Sequence, residues 1–273
     1  MSQRIQFSQH GGPEVLEQVD MPLSAPAAGE VRVRNHAIGL NFIDTYFRGG
    51  LYQPPSLPSG LGTEGAGVVD AVGEGVQHLQ PGDRVAYATG PLGAYGEHHT
   101  LPARHLVKLP DSISFEQAAA VMLKGLTCQY LLRQTHSLQA GETVLFHAAA
   151  GGVGSIACQW ARALGAQLIG VVGSAEKAER GLLVSFGNAS GAVTGVNLGV
   201  LAQKGSLFVT RPTLAGYADT PERLQAMADE LFEMIGSGRI QVEIGQRYPL
   251  SEAAEAQRKL AAGETTGSTI LLP

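Results

Sequence analysis

Cysteine is nearly absent from this chain: two residues in 273, Cys128 and Cys158. Neither stands in a CxxC pair or beside a histidine at ligand spacing. That excludes a disulfide framework and points to a reduced, cytosolic protein. Charged residues are also few, 16% of the chain, and the net charge is −5 with no basic run, which excludes a nucleic-acid binder. No apolar stretch is long enough to cross a bilayer, and the opening MSQRIQFSQHGGPEVL carries no apolar signal region, so no membrane role is expected. Internal repeats and low-complexity tracts are missing. What is plentiful is apolar residues, at 44%, enough for a sizeable core, and glycine, with 36 residues. So much glycine implies tight turns or close approaches of backbone to a ligand. The length suits two moderate domains or one large one.

The first hundred residues read as β-rich. VRVR (31–34) alternates as a half-buried strand, and GAGVVDAVG (65–73) is a second. QPGD (80–83) is a turn before the strand RVAY (84–87). This is the composition of an antiparallel β-barrel or sandwich. At Ser114 the texture changes. SFEQ (114–117) has the form of a capping box, and the apolar run behind it predicts a helix to about Leu132. A strand over 143–147, a Gly-rich turn over 148–154, a helix over about 155–164 and a strand over 167–172 then form a βαβ unit. Further strands are expected at 182–186 and 206–210. Helices are expected at 221–235, with Pro221 in the first turn, and at 251–262, and a last strand at 268–272.

The strongest local signal is AAGGVG (149–154), set between a strand and a helix. It is a GxGxxG dinucleotide fingerprint with Ala149 at the first glycine. Ala150, Gly151, Gly152, Val153 and Gly154 form the candidate phosphate turn. Gly151 lets the backbone approach the pyrophosphate, Gly154 lets helix and strand pack closely, and the helix N-terminus attracts the anion. The end of the second strand selects the cofactor. NAD-binding folds usually carry a carboxylate there, whereas Gly173 and Ser174 occupy the place here and Lys177 follows. No carboxylate repels a 2′-phosphate and Lys177 can neutralise one, which favours NADPH. The other reading of Lys177 is a solvated helix lysine.

A second set of motifs is GTEGAG (62–67), followed by Val72-Gly73 and GDRV (82–85) and preceded by GLNFID (39–44). Together they resemble the medium-chain dehydrogenase/reductase superfamily. Its zinc members carry Cys where this chain has Asn41 and His where it has Thr63. With no cluster of ligands elsewhere, no metal is expected. His98 and His99 are adjacent in a strand, face opposite sides, and read as surface or barrel histidines. NFIDTY (41–46), LKGLT (123–127), FHAAAGGVG (146–154) and VSFGN (184–188) narrow the resemblance to the zinc-free, zeta-crystallin-like NADPH:quinone oxidoreductases.

That resemblance implies an α/β fold: a GroES-like β-barrel catalytic domain, residues 1–125 and 246–273, and a Rossmann-type nucleotide-binding domain, residues 126–245. It implies NADPH as cofactor, a small-molecule quinone as substrate and a homodimer joined edge to edge along 206–210. By resemblance, Asn41, Tyr46, Tyr52 and Thr127 line the cleft near the nicotinamide. Phe186 and Asn188 cover its other side, and Gly173, Ser174 and Lys177 hold the adenosine phosphate. Gly263 stands where many relatives carry an Arg. The chemistry asks little of side chains, because the cofactor supplies the reducing equivalents. Tyr46, Tyr52 or Asp44 can relay a proton. The alternative for each is a structural hydrogen bond, the preferred reading of Asp44.

One stretch does not fit. Between the strands at 167–172 and 182–186, GSAEKAERG (173–181) is shorter than the ~10–12 residues a parallel crossover needs. The family continues there with two further strands and their helices, so roughly 50 residues are absent, at about 30 per βαβ unit. The Rossmann sheet is thereby cut to about four strands from six. Three repairs are open: an extended crossover without a helix, an antiparallel hairpin, or a stretched link with the later strand kept in place. Each leaves apolar sheet surface uncovered and favours dimer contacts or strand exchange. The expected cost is weakened NADPH binding and low quinone reductase activity. Reduction of an enone or enoyl thioester, or a catalytically inactive structural or binding variant, are the alternatives.

Overall fold

The structure, a computed structural model, describes residues 1–171, 182–184, 199–203 and 208–273. The first half is built of short strands: β1 (Ser2–Phe7), β2 (Leu16–Met21), the long β3 (Glu30–Leu40), then helix α1 (Phe42–Gly49), β4 (Ser59–Gly60), β5 (Gly65–Val72), β6 (Arg84–Tyr87), β7 (His98–Pro102) and β8 (Val107–Lys108). The second half holds α2 (Phe115–Gln129), β9 (Thr143–His147), α3 (Gly152–Ala163), β10 (Gln167–Val171), β11 (Leu182–Val184), α4 (Gly199–Gln203), β12 (Phe208–Thr210), α5 (Leu214–Tyr217) and α6 (Pro221–Gly236). β13 (Ile244–Pro249), α7 (Ala253–Ala261) and β14 (Ser268–Leu272) close the chain.

β3 organises the barrel. Its alternating residues put Val31 and Val33 inside, while Arg32 turns out to pair with Asp70 at 2.6 Å. It pairs antiparallel with β5 along one edge and with β7 and β14 along the other. Two register shifts against β5, at Arg32/Val33 and Asn35/Ala37, bend the sheet so that it can wrap. β14, the last strand, therefore completes the sheet of the first hundred residues. The interior is filled by Phe7, Ile38, Leu40, Leu61, Tyr87 and Tyr95, all at most 1% exposed. His98 and His99 do face opposite ways. His98 meets Ser2 Oγ, whereas His99 is buried against the Tyr87 ring and burial pulls its pKa down to about 4.

α2 starts where the sequence says it should: Ser114 Oγ accepts from the Gln117 N–H, and Gln117 Oε1 accepts from the Ser114 N–H. It is buried almost all round, from Ala118 to Met122 and from Gly125 to Gln129. One side packs on β3, β5 and β14, the other on α3 and α6. Gly125 is required by that approach, since a Cβ there would lie 2.6 Å from the Leu231 methyls of α6. α6 begins with Pro221 at its first turn and buries Leu224, Met227, Leu231 and Ile235.

Four elements differ from the sequence-based expectation. α2 ends at Gln129 and continues as a π-helical turn over Tyr130–Thr135 rather than as α-helix to Leu132. There Tyr130 stacks on Tyr217 at 4.9 Å and Thr135 donates to the Tyr217 hydroxyl, contacts that reward a wider turn. α3 starts at Gly152, three residues early. The last helix begins at Ala253 after a 3₁₀ turn, Leu250–Glu252. The strands of the nucleotide half form two parallel pairs, β9 with β10 and β11 with β12. Among the described residues β10 and β11 lie in separate two-stranded sheets and do not pair with each other, as the hairpin repair would require. On β9 and β10, Leu145 and Ile169 are register partners, 43% and 48% exposed. Gly263 sits at φ +72° just past α7, where an Arg would be strained.

Candidate nucleotide and substrate cleft

The turn after β9 is shaped by close backbone packing. Ala148, at φ +54°, is the non-glycine residue with a left-handed backbone among the described residues, and its carbonyl accepts from the Gly151 N–H at 2.8 Å. Gly151 is the extended N-cap of α3. A Cβ at Gly154 would lie 2.4 Å from the Ala148 oxygen and 2.6 Å from the Ala149 oxygen, so only glycine lets the helix start this close to the turn. Ala149 itself carries a methyl where the fingerprint has glycine. Its room comes from Gly170 on β10, where a Cβ would be 2.6 Å from that methyl. Ala150 and Gly151 are exposed, and Val153 packs toward the core, its carbonyl accepting from Cys128 Sγ at 3.1 Å. The first turn of α3 carries no acidic residue. Free N–H groups, the helix dipole and a bare glycine approach make this a fitting cradle for a dinucleotide pyrophosphate.

The other candidate residues grow from α1. Asn41 is its N-cap, 6% exposed, and its main-chain N–H donates to Asp44 Oδ2 at 2.8 Å. Tyr46 lies on the helix and Tyr52 just beyond it. The Tyr52 N–H donates to the Tyr46 carbonyl and the two rings meet edge-on at 5.4 Å. Both rings are half-buried, with Phe42 and Phe47 against them. Asp44 is fully buried, receives the Tyr95 hydroxyl at 2.9 Å, and burial pushes its carboxyl up to about 7. Thr127 sits on α2 and donates back to the Leu123 carbonyl at 2.7 Å.

Two residues the motif reading passed over join these parts. Glu64, fully buried, receives Asn41 Nδ2, and Lys124 extends from α2 between Glu64 and the start of α3. The sequence did carry a signal for Lys124: it is the one charge inside the apolar run AAAVMLKGLTC (118–128), where a cation needs a partner. The structure thus brings Asn41, α2 and the Gly-rich turn to one place, while Tyr46 and Tyr52 pair with each other further along α1 and just past it. Gly173, Ser174, Lys177, Phe186 and Asn188 lie outside the described residues. Among the described residues no three His, Cys, Asp or Glu side chains gather as a metal site, and no helix is long and apolar enough to cross a membrane.

Two protein families match. The alcohol dehydrogenase GroES-like domain covers residues 27–111 and the zinc-binding dehydrogenase domain covers residues 146–271. The quinone oxidoreductase of Pseudomonas aeruginosa is 59% identical over 325 aligned positions that take in all of both chains. The quinone oxidoreductase of Pseudomonas syringae pv. tomato superposes with a TM-score of 0.96 at 56% identity, covering 100% of both chains. The Escherichia coli quinone oxidoreductase complexed with NADPH does so with a TM-score of 0.95 at 50% identity, covering 99% of this chain and 100% of that one. An alignment of 325 positions against a chain of 273 residues leaves at least 52 positions opposite no residue here.

Proposed function

This chain belongs to the zeta-crystallin-like quinone oxidoreductases of the medium-chain dehydrogenase/reductase superfamily, and we propose that it reduces a quinone with NADPH and no metal. The observation that carries this reading is the linkage of Asn41, α2 and the α3 turn through Glu64 and Lys124, in a chain 59% identical to a quinone oxidoreductase. NADPH, when bound, supplies the hydride. The chain's own residues do the rest. Gly151 to Gly154 and the α3 N-terminus hold the pyrophosphate. Asn41 and Thr127 flank the nicotinamide, and the edge-on pair Tyr46 and Tyr52 offers a flat, partly dry surface to a quinone and a hydroxyl to its reduced oxygen. Gly173, Ser174 and Lys177 take the adenosine phosphate, and Phe186 and Asn188 close the far side.

We divide the chain into a catalytic domain of residues 1–125 and 246–273 and a nucleotide domain of residues 126–245. The run of β14 into the β3 sheet supports this division. The protein works in the cytoplasm, in keeping with its two unbonded cysteines. It is a homodimer, and the uncovered Leu145 and Ile169 favour contacts between copies. The absence of at least 52 aligned positions weakens NADPH binding and turnover. Four measurements test this: NADPH oxidation with a quinone, the same assay with enones, a fluorescence titration of NADPH, and light scattering of the eluting protein. Quinone-dependent oxidation with weak NADPH affinity is expected. Turnover of enones alone overturns the substrate, and micromolar NADPH affinity overturns the impairment. No oxidation by a folded protein overturns the enzyme and favours a binding role.

A further inference from the structure

Glu64 is a carboxylate with no exposed side-chain surface, and every polar group that reaches it is a donor. Asn41 Nδ2 donates to Oε2 at 2.5 Å, the Leu123 main-chain N–H donates to Oε1 at 2.7 Å, and Lys124 Nζ lies 3.9 Å from Oε2. Burial pushes this carboxyl up, against the pull of the three donors, yet in the geometry both of its oxygens accept: Oε2 from Asn41 and Oε1 from Leu123. Its place is tight as well: a Cβ at Gly39 would fall 2.1 Å from Oε2.

The donors belong to different parts of the cleft. Asn41 is the N-cap of α1, while Leu123 and Lys124 are inside α2. Lys124 reaches further. Its Cδ and Cε cover Gly152, at 2.8 and 2.9 Å from a Cβ built there, so its stem lies across the first residue of α3. One buried carboxylate therefore links the α1 cap to the α3 turn through a single lysine. Packing alone does not call for this, because a buried ion pair is no better for stability than apolar residues of the same shape. What the carboxyl adds is direction: its Oε2 accepts from Asn41 Nδ2, which turns the NH₂ inward and fixes the amide in one of its two orientations.

We propose that Glu64 is a positioning residue that sets the Asn41 amide and the dinucleotide turn in register with each other, acting through Asn41 and Lys124 without touching substrate or cofactor. The proposal deepens the quinone reductase reading and rests on it for the chemistry served. Its structural content is testable without cofactor. Glu64→Gln keeps the shape but offers one acceptor and one donor to three donors, and Lys124→Met removes the link to the turn.

The experiment is hydrogen–deuterium exchange by mass spectrometry on the cofactor-free protein. It follows peptides over 42–47 and 148–155, with strand β2 as a remote control. For Glu64→Gln we expect exchange about tenfold faster or more in both peptides and unchanged in β2, the scale of a lost charged hydrogen bond. Lys124→Met should speed both peptides too, and the double variant should be no worse than Glu64→Gln. Unchanged exchange, a change in only one peptide, or an even rise including β2 overturns the proposal. Should Glu64→Gln fail to fold, Lys124→Met alone decides by the same two peptides. With NADPH and quinone, Glu64→Gln should lower kcat more than it raises the quinone KM. If wild type shows no turnover, the quinone reductase reading falls, and the exchange result still decides whether Glu64 couples the two sites.

Discussion

Replacing Asp44 by Asn is expected to stabilise the protein at pH 8 and by less than half as much at pH 5. The Asp44 carboxyl is completely buried, and its surroundings favour the neutral form. Burial raises its pKa to about 7 from the ordinary 3.8. The Asn41 N–H and Tyr95 hydroxyl, both on Oδ2, and the charge of Lys124 pull the other way without prevailing. Glu64 adds to the rise. Oδ1 has no hydrogen-bond partner at all. The sign follows from proton counting. Between pH 4 and 7 the folded protein keeps a proton that the unfolded chain has released, so stability falls as pH rises through this window and levels off above it. A shift of this size corresponds to about 4 kcal/mol, at about 1.4 per pH unit. Asn keeps an oxygen for the two donors and has nothing to ionise. Urea unfolding followed by circular dichroism at pH 5 and pH 8, wild type against Asp44→Asn, measures the difference directly. The variant should gain up to about 4 kcal/mol at pH 8. A variant equal to or weaker than wild type at pH 8 refutes the reasoning, since it would mean the carboxylate is welcome where it sits.

Two further outcomes follow from the same contacts. Gly154→Ala places a methyl 2.4 Å from a main-chain oxygen that cannot rotate away, so the turn must shift. We expect a stability loss of about 1–3 kcal/mol and at least a tenfold drop in NADPH affinity, read by unfolding and by titration. Equal affinity would show that the turn does not bind the cofactor. Ser114→Ala removes the cap of α2 and should cost about 1 kcal/mol in urea unfolding, with NADPH affinity unchanged at equal folded fraction.

Much of this architecture was written locally. The reciprocal side chains of Ser114 and Gln117 announce α2, and alternation in VRVR (31–34) announces β3, because both signals act within a few residues. The start of α3 was hidden because Gly152 and Gly154 are poor helix formers, and the dense packing that holds them helical is long-range. The π turn depends on Tyr217, far along the chain, so no pattern near Tyr130 could display it. In the cleft, Asn41 and the Gly-rich turn were readable by motif, whereas Glu64 was not. Its importance lies in donors from residues 41, 123 and 124, which only the folded chain assembles. The preferred reading of Asp44 as a structural hydrogen-bond partner agrees with its contacts, but its burial, and hence its proton, needed the Tyr95 side chain to be seen above it.

The exchange between Ala149 and Gly170 has an evolutionary reading. The methyl that the fingerprint would forbid at 149 is tolerated because its neighbour on β10 has given one up. The two positions share one volume, and only the sum of their side chains is constrained. Ala149→Gly frees position 170 to take a methyl, while Gly170→Ala alone collides. Sequences of this lineage should therefore cross between the Ala/Gly and Gly/Ala pairings only by way of Gly/Gly, and a fingerprint search that demands glycine at the first position will miss members whose compensation lies a strand away.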